Sequence, residues 1–452
     1  MSFPTLAQLA DDLAHGRTTS EALTRTCLSR IEDPAGEGAR AFVAVDREGA
    51  LAAARAADAR RTAGAAKSAL DGLPISIKDL FDVCGQVTRA GSKVLADAPP
   101  ASADAPVIAR LKAAGAVLMG RTNMTEFAYG ATGMNAHFGT PLNAWDRANR
   151  RIPGGSTSGG AVSVTDGMAV ATIGSDTGGS VRIPAALTGL AGFKPTQRRV
   201  SLEGVFPLSF TRDSVGPLGA TVACCALLDG VMSGVAHPPL AGVALAGLRL
   251  GVPRTILLDA LEDPVAHAFA AALSVLSKAG ARIEEFDFPV LERERAGSLK
   301  ANFSAVEAYA LHRERLASAP ERFDPRVRQR LMLGATMSAA DYVDLVLLRK
   351  SLIAEADAAT ARYDALLAPT VPIIAPQLDA LGASDTEFFC INGLLLRNCA
   401  PFNVLDRPAV SLPCQGPGAA PVGLMVIGET MGDSRVLAVA MAIEAALAAR
   451  SG

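Results

Sequence analysis

The 452-residue sequence has no surplus of either charge: 43 Lys and Arg stand against 45 Asp and Glu, a net charge of -2. That excludes a protein held on nucleic acid by a basic surface, and one steered to an anionic membrane. Cysteine is sparse and odd in number, with Cys27, Cys84, Cys224, Cys225, Cys390, Cys399 and Cys414 scattered and never in C-x-x-C spacing. Such usage argues against a disulfide framework and a zinc site, and suits a reducing compartment. The longest uncharged stretches, 230–248 and 408–428, are broken by Gly and Pro, which makes them poor spanning helices. The opening MSFPTLAQLADDL has neither the basic nor the apolar region of a secretory signal. A soluble cytoplasmic protein without membrane contact is the expectation. Half of the residues are apolar and 19% charged, so a sizeable core is available and disorder is excluded.

Apolar spacing predicts two short N-terminal helices, one carrying Leu6, Leu9, Ala10 and Leu13 and stopping at Gly16, the next opening at Thr18-Thr19-Ser20-Glu21 and carrying Leu23, Cys27 and Ile31. Leu73-Pro74-Ile75-Ser76-Ile77-Lys78 then reads as a strand, with Ser76 and Lys78 on one face. Helix and strand alternate from there: helix 107–114 with its stop at Gly115, strand 116–119, strand 248–252, a helix bearing Val265, Phe269, Ala272, Leu273 and Leu276, and strand 281–286. This rhythm predicts helices packed over a parallel or mixed sheet. No repeat or linker divides the chain, so one large α/β domain is expected. Residues 290–400, where charge rises around Glu292-Arg293-Glu294-Arg295, are the best candidate for a separate lobe. Those charges read as a solvated helical face.

Residues 153–201 hold two Gly/Ser clusters, Gly154-Gly155-Ser156-Thr157-Ser158-Gly159-Gly160 and Gly174-Ser175-Asp176-Thr177-Gly178-Gly179-Ser180, around the strand-length apolar segment 168–173. Neither completes a phosphate-binding pattern. Close backbone approach to a ligand is the remaining reason for so much glycine. Ser180 precedes the helical segment 181–187. It is either a nucleophile beside converging N–H donors or an ordinary cap after a glycine turn. None of the five histidines falls in these clusters, no serine lies in G-x-S-x-G, and no H-E-x-x-H is present. Lys78, ending an apolar strand, is the competing base. Either it is drawn into low dielectric and loses its proton, or it snorkels to water.

With these residues the sequence resembles the amidase signature family, the Ser-cisSer-Lys amidohydrolases. The likeness runs from Gly72-Leu73-Pro74-Ile75-Ser76-Ile77-Lys78-Asp79 through Thr122-Asn123-Met124-Thr125-Glu126-Phe127-Ala128, the two Gly/Ser clusters, Gly192-Phe193-Lys194-Pro195-Thr196 and Asp213-Ser214-Val215-Gly216-Pro217 to Pro421-Val422-Gly423-Leu424. The 24-residue interval from Ser156 to Ser180 is the family's usual one. The resemblance implies a single three-layer α/β/α domain over 1–452 with a mixed, mostly parallel central sheet. Within it would lie an N-terminal helical segment (1–70), a catalytic core (72–218) and a variable helical substrate-side region (290–400). It implies Ser180 as nucleophile, Ser156 after a cis peptide as the bridging serine and Lys78 as base. Backbone N–H groups of Thr177, Gly178, Gly179 and Ser180 would line the oxyanion hole, with Asp79, Asp176 and Arg182 as structural support. No metal or cofactor is implied, and a homodimer is. Arg198 and Asp406 stand where glycine is frequent in the family, and Met425 where glutamine often is.

The substrate is less legible. Met124, Tyr129 and Phe138 are the candidate pocket residues, with Met134, Tyr309 and Phe389 behind them, and no cluster of Arg or His announces a carboxylate-bearing substrate. The first reading is an amidase acting on a small aliphatic or aryl amide. The second is the glutaminase subunit of a tRNA-dependent amidotransferase, ranked lower because 301–312 lacks the ARYDG-like run typical of that chain. The third is an inactive member kept as a binding or scaffold protein, against which the retained lysine and two serines speak.

Overall fold

Thr5 and Gln8 cap each other at the start of the first helix, Leu6–Ala14, and the Thr19 hydroxyl caps the second, Ser20–Ile31. Both helices lie where the apolar spacing puts them. The computed structural model describes residues 3–449; residues 1–2 of the expected N-terminal segment and 450–452 lie outside the described ones. Among the described residues no single helix is long and apolar enough to cross a membrane.

The strands are β1 (Phe42–Val45), β2 (Pro74–Lys78), β3 (Val117–Thr122), β4 (Ala171–Asp176), β5 (Ala191–Lys194), β6 (Ser214–Gly219), β7 (Arg249–Pro253), β8 (Arg282–Phe286), β9 (Ala365–Pro369), β10 (Ala409–Pro413) and β11 (Gly423–Ile427). They form one 11-stranded sheet in the order β1-β3-β2-β4-β6-β5-β10-β11-β9-β7-β8. The sheet is mixed, as expected, but not mostly parallel. Among the described residues only β2–β3, β2–β4, β7–β8 and β7–β9 pair in parallel. The other six ladders are antiparallel. Parallel pairing needs a crossover, which helices Pro106–Ala113 and Asp263–Lys278 supply between β2 and β3 and between β7 and β8. No helix separates β10 from β11, and those strands turn back on each other.

Residues of β2, β4, β6, β9 and β11 are buried throughout, the mark of a sheet covered on both sides. Alternate side chains sort accordingly. Val410, Leu412, Leu424 and Val426 join a core with helices Val222–Ser233, Asp263–Lys278 and Asp433–Ala448. Ala409, Met425 and Ile427 face the other layer, with Ile183, Leu187 and Phe402. The charge-rich 290–400 region is helical, but it contributes β9 to the sheet interior. It therefore belongs to the same body and is not a separate lobe.

One boundary moves in a way that matters for the site. The segment read as strand 168–173 is in fact β4, Ala171–Asp176, so Gly174-Ser175-Asp176 is sheet rather than loop. Antiparallel β6 pairs with it residue by residue, from Ala171 opposite Gly219 to Asp176 opposite Ser214.

Candidate active site

β2 delivers Ser76 and Lys78 to the same side of the sheet, while Ile75 and Ile77 pack into the core on the other. The Ser76 hydroxyl meets Ser163 at 2.8 Å on helix Ser158–Thr165. Lys78 Nζ donates to Ser156 Oγ at 2.8 Å and to Ser175 Oγ at 2.9 Å. Lys78 is fully buried, and among the described residues no carboxylate forms an ion pair with it. Burial pulls its pKa down to about 7 from 10.5, against the opposing fields of Asp176 and Asp213. The amine is thus able to accept a proton near neutral pH. Ser175 carries no signal of its own in the sequence; its place beside Lys78 follows from the parallel register of β2 on β4, which pairs Ile77 with Ile173.

The Gly155–Ser156 peptide is cis, as the resemblance implied. Its loop lies directly on a neighbouring one: a Cβ at Gly155 would come within 2.5 Å of the Gly133 nitrogen. The next residue ties the two serine loops together, because Thr157 Oγ1 donates to the Ser180 carbonyl at 2.6 Å. Ser180 then precedes helix Arg182–Thr188 and lines a cavity of about 80 Å³ with Thr177, Gly178, Tyr129, Arg212 and Arg330.

What holds this loop is a buried charge pair. Arg182 donates to Asp176 through Nε at 3.0 Å and Nη2 at 2.9 Å. Nη2 also reaches Asn403 Oδ1 at 2.6 Å, and Nη1 sits 3.3 Å from Met425 Sδ. Met425 is therefore packed beneath the loop through a weakly accepting thioether. Burial works against an ionised Asp176, but the Arg182 guanidinium holds its carboxyl well below the usual range. Asp79 is likewise paired with Arg121, at 2.7 Å. Asp406 adopts a left-handed conformation, φ 52°, and its carboxylate accepts from the Gln197 amide; that conformation accounts for glycine elsewhere.

The expected oxyanion donors need one correction. The Gly179 N–H donates to Asp176 Oδ1 at 2.8 Å and so is engaged by the carboxylate. Among the described residues the amides of Thr177, Gly178 and Ser180 meet no acceptor, and they are the donors left open. Of the expected pocket residues, Tyr129 lines the Ser180 cavity and Met124 and Phe138 do not. Met124 is wholly buried in the core, and Phe138 stands against His137 with its amide turned to Asn135. Met134 lines an adjoining cavity of about 330 Å³ that shares Tyr129 and Arg330; Tyr309 and Phe389 line neither. Arg212 and Arg330 are site residues that the sequence pattern does not reveal.

A Ser-His-Asp contact does exist elsewhere, but in the wrong sense. His237 offers Nδ1 to Ser434 and Nε2 to Asp229, and Asp229 is ion-paired to Arg199. A hydrolytic triad uses the opposite order, with Nδ1 on the acid.

Comparison with known proteins agrees with this geometry. The family profile described as Amidase matches residues 22–437. The glutamyl-tRNA(Gln) amidotransferase A chain of Chloroflexus aggregans is 36% identical over 463 residues, covering 94% of this chain and 93% of that protein. Among solved structures, one described as an amidase is 36% identical with a TM-score of 0.88, over 99% of this chain and 100% of the other. The corresponding glutamyl-tRNA(Gln) amidotransferase protein of Thermotoga maritima is 29% identical with a TM-score of 0.75, over 94% and 91%. Given matches of this extent in sequence and in fold, the chain belongs to the amidase family and is an enzyme acting on amide C–N bonds.

Proposed function

We propose that the protein hydrolyses a small carboxylic amide through an acyl-enzyme on Ser180. The observation that carries this reading is a fully buried lysine, without a carboxylate partner among the described residues, 2.8 Å from Ser156 Oγ. Neutral Lys78 takes the Ser156 proton as Ser156 takes that of Ser180. Ser180 Oγ then attacks the carbonyl carbon, and the displaced π electrons form an oxyanion facing the open amides of Thr177, Gly178 and Ser180. As the C–N bond breaks, Ser156 returns a proton to the leaving nitrogen. Water, deprotonated through the same relay, releases the acid and restores Ser180.

A second reading has specific support. The curated relatives with 34–36% identity over 94–98% of the chain belong to glutamyl-tRNA(Gln) amidotransferases, each being the component of this type, which weighs against the low rank that the missing ARYDG-like run suggested. On this reading the same serine would release ammonia from glutamine and pass it to partner chains. On the side of the first reading, the structure described as an amidase superposes with a TM-score of 0.88, against 0.75 for the Thermotoga maritima protein. Ammonia release by the purified chain separates them. Turnover of small amides without partners supports the first reading, and turnover of glutamine alone, stimulated by partner chains, supports the second. Absence of turnover together with failure of a fluorophosphonate to label Ser180 would refute both and leave a binding protein. Ser180→Ala is expected to abolish hydrolysis and Lys78→Ala nearly so.

A further inference from the structure

β4 and β6 stop pairing where the nucleophile loop begins. Asp176 opposite Ser214 is the last rung of their antiparallel ladder, so Thr177, which follows β4, stands across from Asp213, which precedes β6. Among the described residues no backbone hydrogen bond joins the two. A side-chain contact takes its place: Thr177 Oγ1 donates to Asp213 Oδ1. The other carboxylate oxygen, Oδ2, accepts the amides of Leu208 and Ser209 at 2.9 and 3.0 Å. One carboxylate therefore gathers the first residue of the oxyanion loop and the turn that brings Leu208 into the wall of the Ser180 cavity.

The far end of the same loop is held by Asp176, through the amides of Gly179 and Val181. That leaves Thr177 to Asp213. Thr177 lines the cavity and Asp213 does not; they are 3% and 5% exposed. Among the described residues Asp213 forms no ion pair and no hydrogen bond with Lys78, Ser156 or Ser180. A buried carboxylate without a cation is costly, and burial raises the pKa of this one to about 6. Its three hydrogen-bond donors offset the cost, so it is ionised at neutral pH and accepts at both oxygens.

We propose that Asp213 is a positioning residue for the oxyanion hole: by gripping Thr177 across the open end of the β4–β6 ladder, it aims the Thr177 and Gly178 amides at the carbonyl oxygen of the substrate. This rests on Ser180 being the nucleophile, and it adds the residue that fixes the donors around it. Donors left free to move stabilise the developing oxyanion less, while binding of the unreacted amide changes little.

The test is the saturation kinetics of a fluorophosphonate on Ser180 of the full-length protein at pH 8. Thr177→Val removes the contact and should lower the maximal labelling rate by about tenfold or more, a part of the roughly 10²–10³ lost when an oxyanion donor is removed outright. The half-saturating concentration should stay within about twofold, because only the transition state is affected. Thr177→Ser keeps the hydroxyl and should label within about threefold of the unmodified protein. Asp213→Ala should be slowed at least as much as Thr177→Val, and adding Thr177→Val to it should cost nothing further, since both act through one contact. Should Asp213→Ala fail to fold, Thr177→Val against Thr177→Ser gives the same reading. Labelling of Thr177→Val at the unmodified rate, Thr177→Ser as slow as Thr177→Val, or losses that multiply in the double variant would overturn the proposal. Failure of the catalytic reading looks different: the unmodified protein would itself take no fluorophosphonate on Ser180.

Discussion

Asp176 and Arg182 are both wholly buried and face each other through two contacts, at 2.9 and 3.0 Å. The pair does more than neutralise itself. Asp176 also takes the amides of Gly179 and Val181, so the backbone on either side of Ser180 is fixed by one carboxylate.

Replacing that carboxylate by an amide leaves Arg182 buried and uncompensated. Asp176→Asn is expected to cost about 3–5 kcal/mol, the usual penalty for breaking a buried pair, and to abolish activity by freeing the nucleophile loop. Denaturant unfolding measures the first effect. An unfolding midpoint equal to that of the unmodified protein would show that Arg182 finds its compensation elsewhere.

On the proposed mechanism, the depressed pKa of Lys78 sets the pH dependence of the reaction. Only the neutral amine can take the Ser156 proton, so kcat/KM should rise with pH through about 7 and level off above it. A profile flat from pH 5.5 to 8.5, with chemistry shown to be rate-limiting, would remove Lys78 from the role of base.

The same residue should leave a mark on stability. The unfolded chain holds the Lys78 proton up to about 10.5 and the folded one only to about 7. Below that window both states are protonated and the full cost of a buried charge is present. Within it the unfolded state binds more protons, so this group makes the protein more stable as pH rises, with a slope near 1.4 kcal/mol per pH unit. Lys78→Met should flatten stability between pH 7.5 and 9.5 relative to the unmodified protein. The comparison of slopes cancels any packing change made by methionine. Parallel curves would mean that the lysine is charged in the folded state.

Which parts of this site can be read from sequence follows from distance along the chain. Lys78, Ser156 and Ser180 lie in local patterns of glycine, serine and apolar residues, and the alternation of β2 places Ser76 and Lys78 on one face without a structure. The contact of Ser175 with Lys78 depends on how β2 registers against β4, which no local pattern encodes. Arg212 and Arg330 are isolated in sequence, and only the fold makes them neighbours. The parallel bias expected for the sheet came from two genuine strand-helix-strand units, while strands joined without helices paired the other way. Met124 failed as a pocket residue because an apolar side chain next to a strand is most often core.

Gly179 offers the sharpest test of how tightly the nucleophile loop is built. Its φ is +128°, a conformation that side chains other than glycine rarely adopt, and an added Cβ would stand 2.5 Å from Ile183 Cδ1 and 2.7 Å from Cys399 Cβ. The Ile183 methyl can swing aside, but Cys399 Cβ is fixed to its backbone, so the strain falls on the loop that carries Ser180. Gly178 lies one residue earlier and is open by comparison: its Cβ would meet Leu396 Cδ2 at 3.2 Å, the end of a movable side chain. Gly179→Ala should therefore destabilise the fold by about 1–3 kcal/mol and slow fluorophosphonate labelling of Ser180 by roughly a hundredfold, the scale expected of a displacement near 1 Å. Gly178→Ala should be markedly milder in unfolding, since it has no backbone conflict to relieve. Equal losses of stability in the two variants would mean that the backbone conformation at Gly179 adds no constraint of its own, and that it is not what holds Ser180 in place.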